Sequence, residues 1–299
     1  MYRKGCGEVF ILEYRRLGRT NFKVSVLAIG GYGPGVHPDP QLAIKVVEEV
    51  IGEGINIIDI APSYAEAETR LGSLIKKYRD RLVVAEKTLE RTYEGAWREL
   101  RTTLSRFGIE SIDVYQFHAV SSLDELDKIF SEKGAAKAFI EARDQGLIKF
   151  IGITAHSDMR IVLKALEIFD FDTVLIPVYA AAMTIPRPEN DFRPVLKAAL
   201  DRDIGVIAIK SVAKRRYVGE RRYTTWYEPF DGQDDIDMAV WYTLSQEPVA
   251  TYSMAGDLRL WPMILNAGKR FRKLSIEEQN RVVEVFREKG ARPLFPENV

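Results

Sequence analysis

This 299-residue sequence predicts an α/β fold, the (β/α)8 TIM barrel. Three observations lead there. Short apolar, largely β-branched runs recur at residues 26–29, 55–59, 82–86, 112–118, 150–153, 173–177, 206–209 and 249–252. Amphipathic stretches of helical length separate them, the pattern of parallel strands joined by crossover helices. Chemically useful side chains stand at or just past the ends of the early runs, and the C-terminal strand ends are where such barrels gather their chemistry. Eight repeats of this alternation point to a closed barrel.

The elements follow in order. The opening "EYRRLGRTNFKVS" reads as a β-hairpin with Gly18 and Asn21 as turn residues. "DPQLAIKVVEEVIGEG" is a helix with Leu42, Val46, Val47 and Val50 on its apolar face, stopped by Gly52 or Gly54. "TYEGAWRELRTTLSRFG" repeats the pattern with Leu100, Leu104 and Phe107, and Gly108 just past its end. After the seventh strand comes a long loop, "AKRRYVGERRYTTWYEPFDGQDD", too long for a plain βα connection and placed on the catalytic face. An extra C-terminal helix, "EEQNRVVEVFREKG", is expected to pack outside the barrel. No linker divides the chain, so residues 1–299 are expected to form a single domain.

Lys plus Arg and Asp plus Glu number 43 each, so no net field draws the chain to nucleic acid or anionic membrane. Cys6 is the single cysteine, which excludes an intramolecular disulfide and fits a reducing compartment. No apolar stretch approaches the ~20 residues of a membrane span. The first twelve residues are too short for a signal peptide. The expectation is a cytoplasmic protein.

The run 55–59 ends in Asp59, and Tyr64 follows in the next loop; Lys87 succeeds the run 82–86, and His118 ends the run 112–118. Their flanks are "YRRLGRT", residues 25–32, "NIIDIAPSYAEAETRLG", "VVAEK" and "IDVYQFH". In these segments the chain resembles the aldo-keto reductases, whose tetrad is Asp, Tyr, Lys and His in this order. The resemblance runs from residue 13 to 266, densely in the first half and more loosely in the second. It implies an NAD(P)(H)-dependent oxidoreductase that reduces aldehydes or ketones to alcohols, or the reverse. A phenol with a pKa near ~10 is a poor acid unless its anion is stabilised. On that logic Tyr64 is the general acid and base, Lys87 lowers its pKa, Asp59 pairs with Lys87, and His118 orients the carbonyl.

These four residues handle only a proton, and the chain has no GxGxxG. The resemblance implies NADP(H) or NAD(H) bound without a Rossmann unit. Gly31 and Tyr32, after the first strand, fall on the cofactor side. In "SMAGDLRLWPMILN", Gly256 can let backbone approach a phosphate, a helix starting near Asp257 offers its N-terminus, and Asn266 matches the family's adenine-binding Asn. The positions where the family usually holds a 2′-phosphate with Arg are Leu258 and Pro262. Asp257 would repel a phosphate, leaving Arg259 as the near cation. Where the family carries Ser-Asn for the nicotinamide carboxamide, this chain has Thr154 and Ala155, with His156 next; His156 is either a cofactor contact or a loop histidine. Ile176 and Ile209 replace a common Gln and a stacking aromatic. Lys210 touches cofactor or substrate, or else belongs to a carboxylate pair. His37, in the first βα loop, reads as solvated or as a substrate contact. The histidines and carboxylates show no metal-ligand spacing, so no metal site is expected.

The partner expected is a small-molecule carbonyl or alcohol, in a pocket lined by residues 32–37, the loop after the fourth strand and, less centrally, Trp97. The basic and aromatic segment with Arg215, Arg216, Arg221, Arg222, Tyr217, Tyr223, Trp226 and Tyr227 has the interleaving that stacks bases. Its position favours instead a lid over the cofactor pyrophosphate, with a solvated loop as the plain alternative. A competing functional reading is a nucleotide-binding barrel that acts mainly as a sensor or regulatory subunit. A Schiff-base role for Lys87 is disfavoured, because Asp59 should keep that amine charged.

Overall fold

Strand pairing closes a ring. The computed structural model describes residues 11–296; Cys6 and most of the first twelve residues lie outside them. β1 (Tyr14–Arg16) pairs antiparallel with β2 (Lys23–Ser25), Tyr14 opposite Ser25. Gly18 and Asn21 both take left-handed backbone in the turn, at φ 48° and 57°, a conformation those two residue types tolerate best. Seven barrel strands follow: β3 (Leu27–Gly30), β4 (Ile57–Asp59), β5 (Val83–Thr88), β6 (Ile112–Phe117), β7 (Ile148–Thr154), β8 (Thr173–Pro177) and β9 (Gly205–Ile209). β10 (Ala213–Arg215) and β11 (Glu228–Pro229) form a separate antiparallel ribbon. β12 (Val249–Ser253) then closes the barrel by pairing in parallel with both β3 and β9. The expected (β/α)8 barrel is what the chain forms.

The barrel interior is packed with Ala28, Ile57, Ala85, Val114, Leu175 and Ile207, and the hairpin adds Leu17 and Val24 to the same cluster. The hairpin therefore plugs the end opposite the chemistry. A fully buried side chain of this size contributes about 1.5–3 kcal/mol, so the plug stabilises as well as covers.

One helical face differs from expectation. The helix Pro40–Gly52, capped by the Asp39 carboxylate, buries Ala43, Val47, Val50 and Ile51. Leu42 is 45% exposed and Val46 only partly buried. At ~100° per residue, position 42 lies a full step around the helix from 43, outside the stripe facing the barrel. The helix Tyr93–Phe107 follows the pattern, burying Leu100 and Phe107 and ending on Gly108 at φ 63°. The last helix, Ile276–Glu288, starts with a reciprocal Ser275–Glu278 capping box. Its Phe286 stacks on Phe230 with centroids 4.1 Å apart, placing it outside the barrel as expected.

Candidate active site

Asp59 ends β4, and Lys87 lies within β5, where pairing with Gln116 carries the strand past the expected end. Lys87 Nζ is 2.6 Å from Asp59 Oδ1, with side-chain exposures of 0% and 3%. It also donates to the Ile60 carbonyl at 3.0 Å. Ser253, the last residue of β12, donates to Asp59 Oδ2 at 3.0 Å. Burial opposes a charge on Lys87, but Asp59, with Tyr64 and Glu86 beside it, outweighs burial and holds the amine pKa above its ordinary value. Lys87 is an ammonium.

Tyr64 is placed by a turn in which its amide donates to the Ala61 carbonyl. Lys87 Nζ lies 4.6 Å from its ring centroid. Lys87 lowers the phenol pKa as expected, but it is not the largest influence. Burial raises it more than Lys87 lowers it, Asp59 adds to the rise, and the net value is about 12. At neutral pH Tyr64 therefore keeps its proton, the form a donor needs.

His118 follows β6, its amide donating to the Thr88 carbonyl. Its ring stands edge-on to Tyr64 at 5.6 Å, with Ser63 Oγ 3.3 Å from Nδ1. Burial, then the charges of Lys87, Arg91 and Lys210, push its pKa down to about 2. It is a neutral imidazole. A cavity of about 350 Å³ brings Tyr64 and His118 together with Ser63, His156, Lys210, Trp226 and Phe295.

Tyr64, His156, Lys210 and Trp226 also border a second hollow, which extends past Gly30 and Tyr32 to Ser253 and Gly256. The ends of β3 and β12 approach so closely there that a Cβ on Gly30 would fall 2.1 Å from the Met254 carbonyl oxygen. Glycine at this position is a packing requirement. The Tyr32 ring lies against Gly256, where a Cβ would come within 2.7 Å of it. Trp226, 54% exposed, covers Tyr32 with centroids 4.1 Å apart.

The other predicted positions divide. Gly31 donates its amide to the Asp59 carbonyl at 2.8 Å. Thr154 is fully buried outside both hollows, its hydroxyl accepting from the Ala119 amide at 2.7 Å. The helix N-terminus expected to receive a phosphate is filled by the Asp257 carboxylate, which accepts from the Arg259 amide at 3.0 Å. Arg259, the near cation expected, is engaged: its guanidinium makes two contacts to Asp257, at 2.9 and 2.7 Å, and one to the Arg222 carbonyl. Asn266 lies exposed between Gln233 and Arg270. Lys210 has no carboxylate partner among the described residues; its amine meets His156 Nδ1 at 2.7 Å. His37 is turned into a local contact with the Asp39 carbonyl. Trp97 lies beneath Arg101 in the outer helical layer, away from the cavity.

The segment between β10 and β11 does lie over the second hollow, but three of its arginines are held by protein partners. Arg215 pairs with Glu228, Arg216 donates to the Leu294 carbonyl, and Arg221 donates to the Thr225 carbonyl. Thr224 fixes the tip by donating to the Gly256 carbonyl at 2.6 Å and to Asp257 at 2.9 Å. Sequence reasoning missed Ser63, Ser253 and Phe295. The two serines sit inside quoted motifs; Phe295, beyond the last helix, carries no local signal.

The sequence profile of the Aldo/keto reductase family matches residues 26–285. The chain is 26% identical over 75% of its length to the aldo-keto reductase YhdN of Bacillus subtilis, covering 68% of that protein. It is also 26% identical over 74% of its length to the NADH-specific methylglyoxal reductase of Escherichia coli, covering 77% of it. Among solved structures, an aldo-keto reductase of Bacillus halodurans in its holo form superposes with a TM-score of 0.71 at 19% identity, over 96% of this chain and 99% of that one. An aldo-keto reductase of Klebsiella pneumoniae in complex with NADPH does so with a TM-score of 0.69 at 20% identity, over 92% and 95%. With the family profile running through almost the whole barrel, the chain belongs to the aldo/keto reductase family and is an NAD(P)-dependent oxidoreductase acting on small-molecule carbonyl compounds.

Proposed function

We propose that this enzyme reduces aldehydes or ketones to alcohols, and runs the reverse oxidation, with Tyr64 giving and taking the proton. The observation that carries this reading is the buried Asp59–Lys87 pair set against the Tyr64 ring, in a cavity that His118 shares. Tyr64 donates its phenolic proton to the carbonyl oxygen. The phenolate that forms is stabilised by the Lys87 ammonium, which Asp59 keeps charged and in place. A neutral His118, with Ser63 at Nδ1, has its other ring nitrogen to offer as a hydrogen-bond donor that orients the carbonyl. Lys87 held as an ammonium is a poor nucleophile, which speaks against a Schiff-base role.

A nicotinamide dinucleotide, when bound, supplies the hydride. The hollow between the ends of β3 and β12 suits it: it opens beside Tyr64, and at Gly256 bare backbone faces the Tyr32 ring where a Cβ would come within 2.7 Å. Tyr32 and Gly256 would hold it there, with Asn266 beyond. Arg259 is paired with Asp257 and Arg270 with Asp237, so neither cation is spare for a 2′-phosphate. We therefore assign NADH at least as readily as NADPH. The sensor reading is not favoured, because it gives the tetrad nothing to do. Stopped-flow oxidation of NADH and NADPH by a panel of aldehydes tests the proposal. Turnover of several aldehydes is expected, and no oxidation of either nucleotide by any of them would overturn it.

A further inference from the structure

The tetrad leaves two polar side chains of its cavity without a task. His156 follows β7 and Lys210 follows β9; both are half-buried on the wall that also carries Tyr64 and His118. Lys210 Nζ lies 2.7 Å from His156 Nδ1, and no carboxylate pairs with it among the described residues. The contrast with Lys87, tied to Asp59, is sharp. Lys210 also holds φ +66°, a left-handed conformation that costs a non-glycine residue free energy and persists where the surroundings impose it. The rest of the cavity is chiefly Trp226 and Phe295, the latter's ring centroid 5.8 Å from Lys210 Nζ. The site thus joins an apolar wall to one amine lacking a counter-ion.

We propose that Lys210 and His156 form a carboxylate-binding site within the substrate cavity, so that the favoured substrates are short carbonyl compounds bearing a carboxylate. This inference rests on the carbonyl reduction proposed above. The His156 and His118 rings are 6.1 Å apart, so carbonyl and carboxylate are separated by only a few bonds. Lys210 supplies the charge, and neutral His156 fixes the amine's position by accepting from it. Burial alone pushes the Lys210 pKa down to about 7, and the charges around His156 and His118 are cationic. An entering carboxylate restores the missing negative charge and holds the ammonium form. The nucleotide's phosphates belong to the other end of the second hollow, near Gly256.

The test compares succinic semialdehyde with butanal, a neutral aldehyde of similar length, using the full chain and saturating NADH. The wild type should favour the acid in kcat/KM. Lys210→Met should cut the acid-to-neutral ratio by roughly ten- to a hundred-fold, the range of one charge-assisted pair, mainly through KM of the acid. Lys210→Arg should keep the ratio within a few-fold. An unchanged ratio in Lys210→Met, or equal losses for both aldehydes, overturns the proposal. Calorimetric titration with butyrate reads the site without turnover: binding to wild type and at least ten-fold weaker binding to Lys210→Met supports it. Equal or undetectable butyrate binding in both overturns it. If no aldehyde is reduced, the catalytic reading fails, while the butyrate titration still decides the site.

Discussion

Lys87→Met isolates the pair on which the catalytic reading depends. At 2.6 Å and an effective dielectric of 20, the attraction between Lys87 and Asp59 is about 6 kcal/mol gross. Each ion's desolvation costs several kcal/mol, so the pair contributes far less than that to net stability. Removing one partner is another matter, because a carboxylate 3% exposed is left alone. That change costs about 3–5 kcal/mol, against a total stability on the order of 5–15 kcal/mol. Asp59→Asn combined with Lys87→Met strands no charge and should recover roughly half of the loss or more. Reduction should not recover, since Tyr64 still lacks the cation that stabilises its anion; a drop of about 10²–10⁴-fold is expected. Urea unfolding and stopped-flow reduction on wild type, both single variants and the double variant separate the two effects. A Lys87→Met protein as stable as wild type, or a double variant with restored reduction, would refute the reasoning.

Asp257→Ala should release Arg259 and raise NADPH affinity relative to NADH by about ten-fold or more; calorimetry showing a ratio unchanged within two-fold would contradict the pairing account. His118 is held neutral, with its pKa pushed from 6.5 to about 2 by burial and neighbouring cations. Unfolded chains take up that proton below about pH 6.5, so the contribution is present above this pH and fades as pH falls toward 2. Between pH 7.5 and 5, unfolding titrations should show His118→Gln losing roughly 2 kcal/mol less stability than wild type, and parallel curves would count against a buried neutral imidazole. Gly30→Ala should lower Tm by several degrees, because its Cβ would fall 2.1 Å from the Met254 carbonyl oxygen and part β3 from β12; an unshifted Tm would show that this approach is not tight.

The barrel and the gathering of Asp59, Tyr64, Lys87 and His118 were legible because strand ends are local signals and a closed barrel brings its strand ends to one face. What tertiary packing decides was not. Periodicity placed Leu42 on the apolar stripe, yet it cannot choose between neighbouring stripes, and beside the expected Val47 and Val50 the barrel took Ala43 and Ile51. The direction of the Tyr64 pKa shift depends on how completely water is excluded, which residue type and order do not report. Asp257 and Arg259 were both noticed, but their spacing of two residues did not reveal that they would satisfy each other. Phe295 reaches the cavity only because the chain returns across the barrel mouth after its last helix.

The central claim is that Tyr64 moves the proton, and Tyr64→Phe tests it most directly. The variant keeps the ring, which packs against Tyr32 and His118, and loses only the hydroxyl. Single-turnover reduction of an aldehyde at saturating NADH should slow by about 10²–10⁴-fold, while NADH affinity stays within about two-fold because the hydroxyl acts on substrate. A Tyr64→Phe enzyme that kept half the wild-type kcat/KM on every carbonyl tested would contradict the assignment.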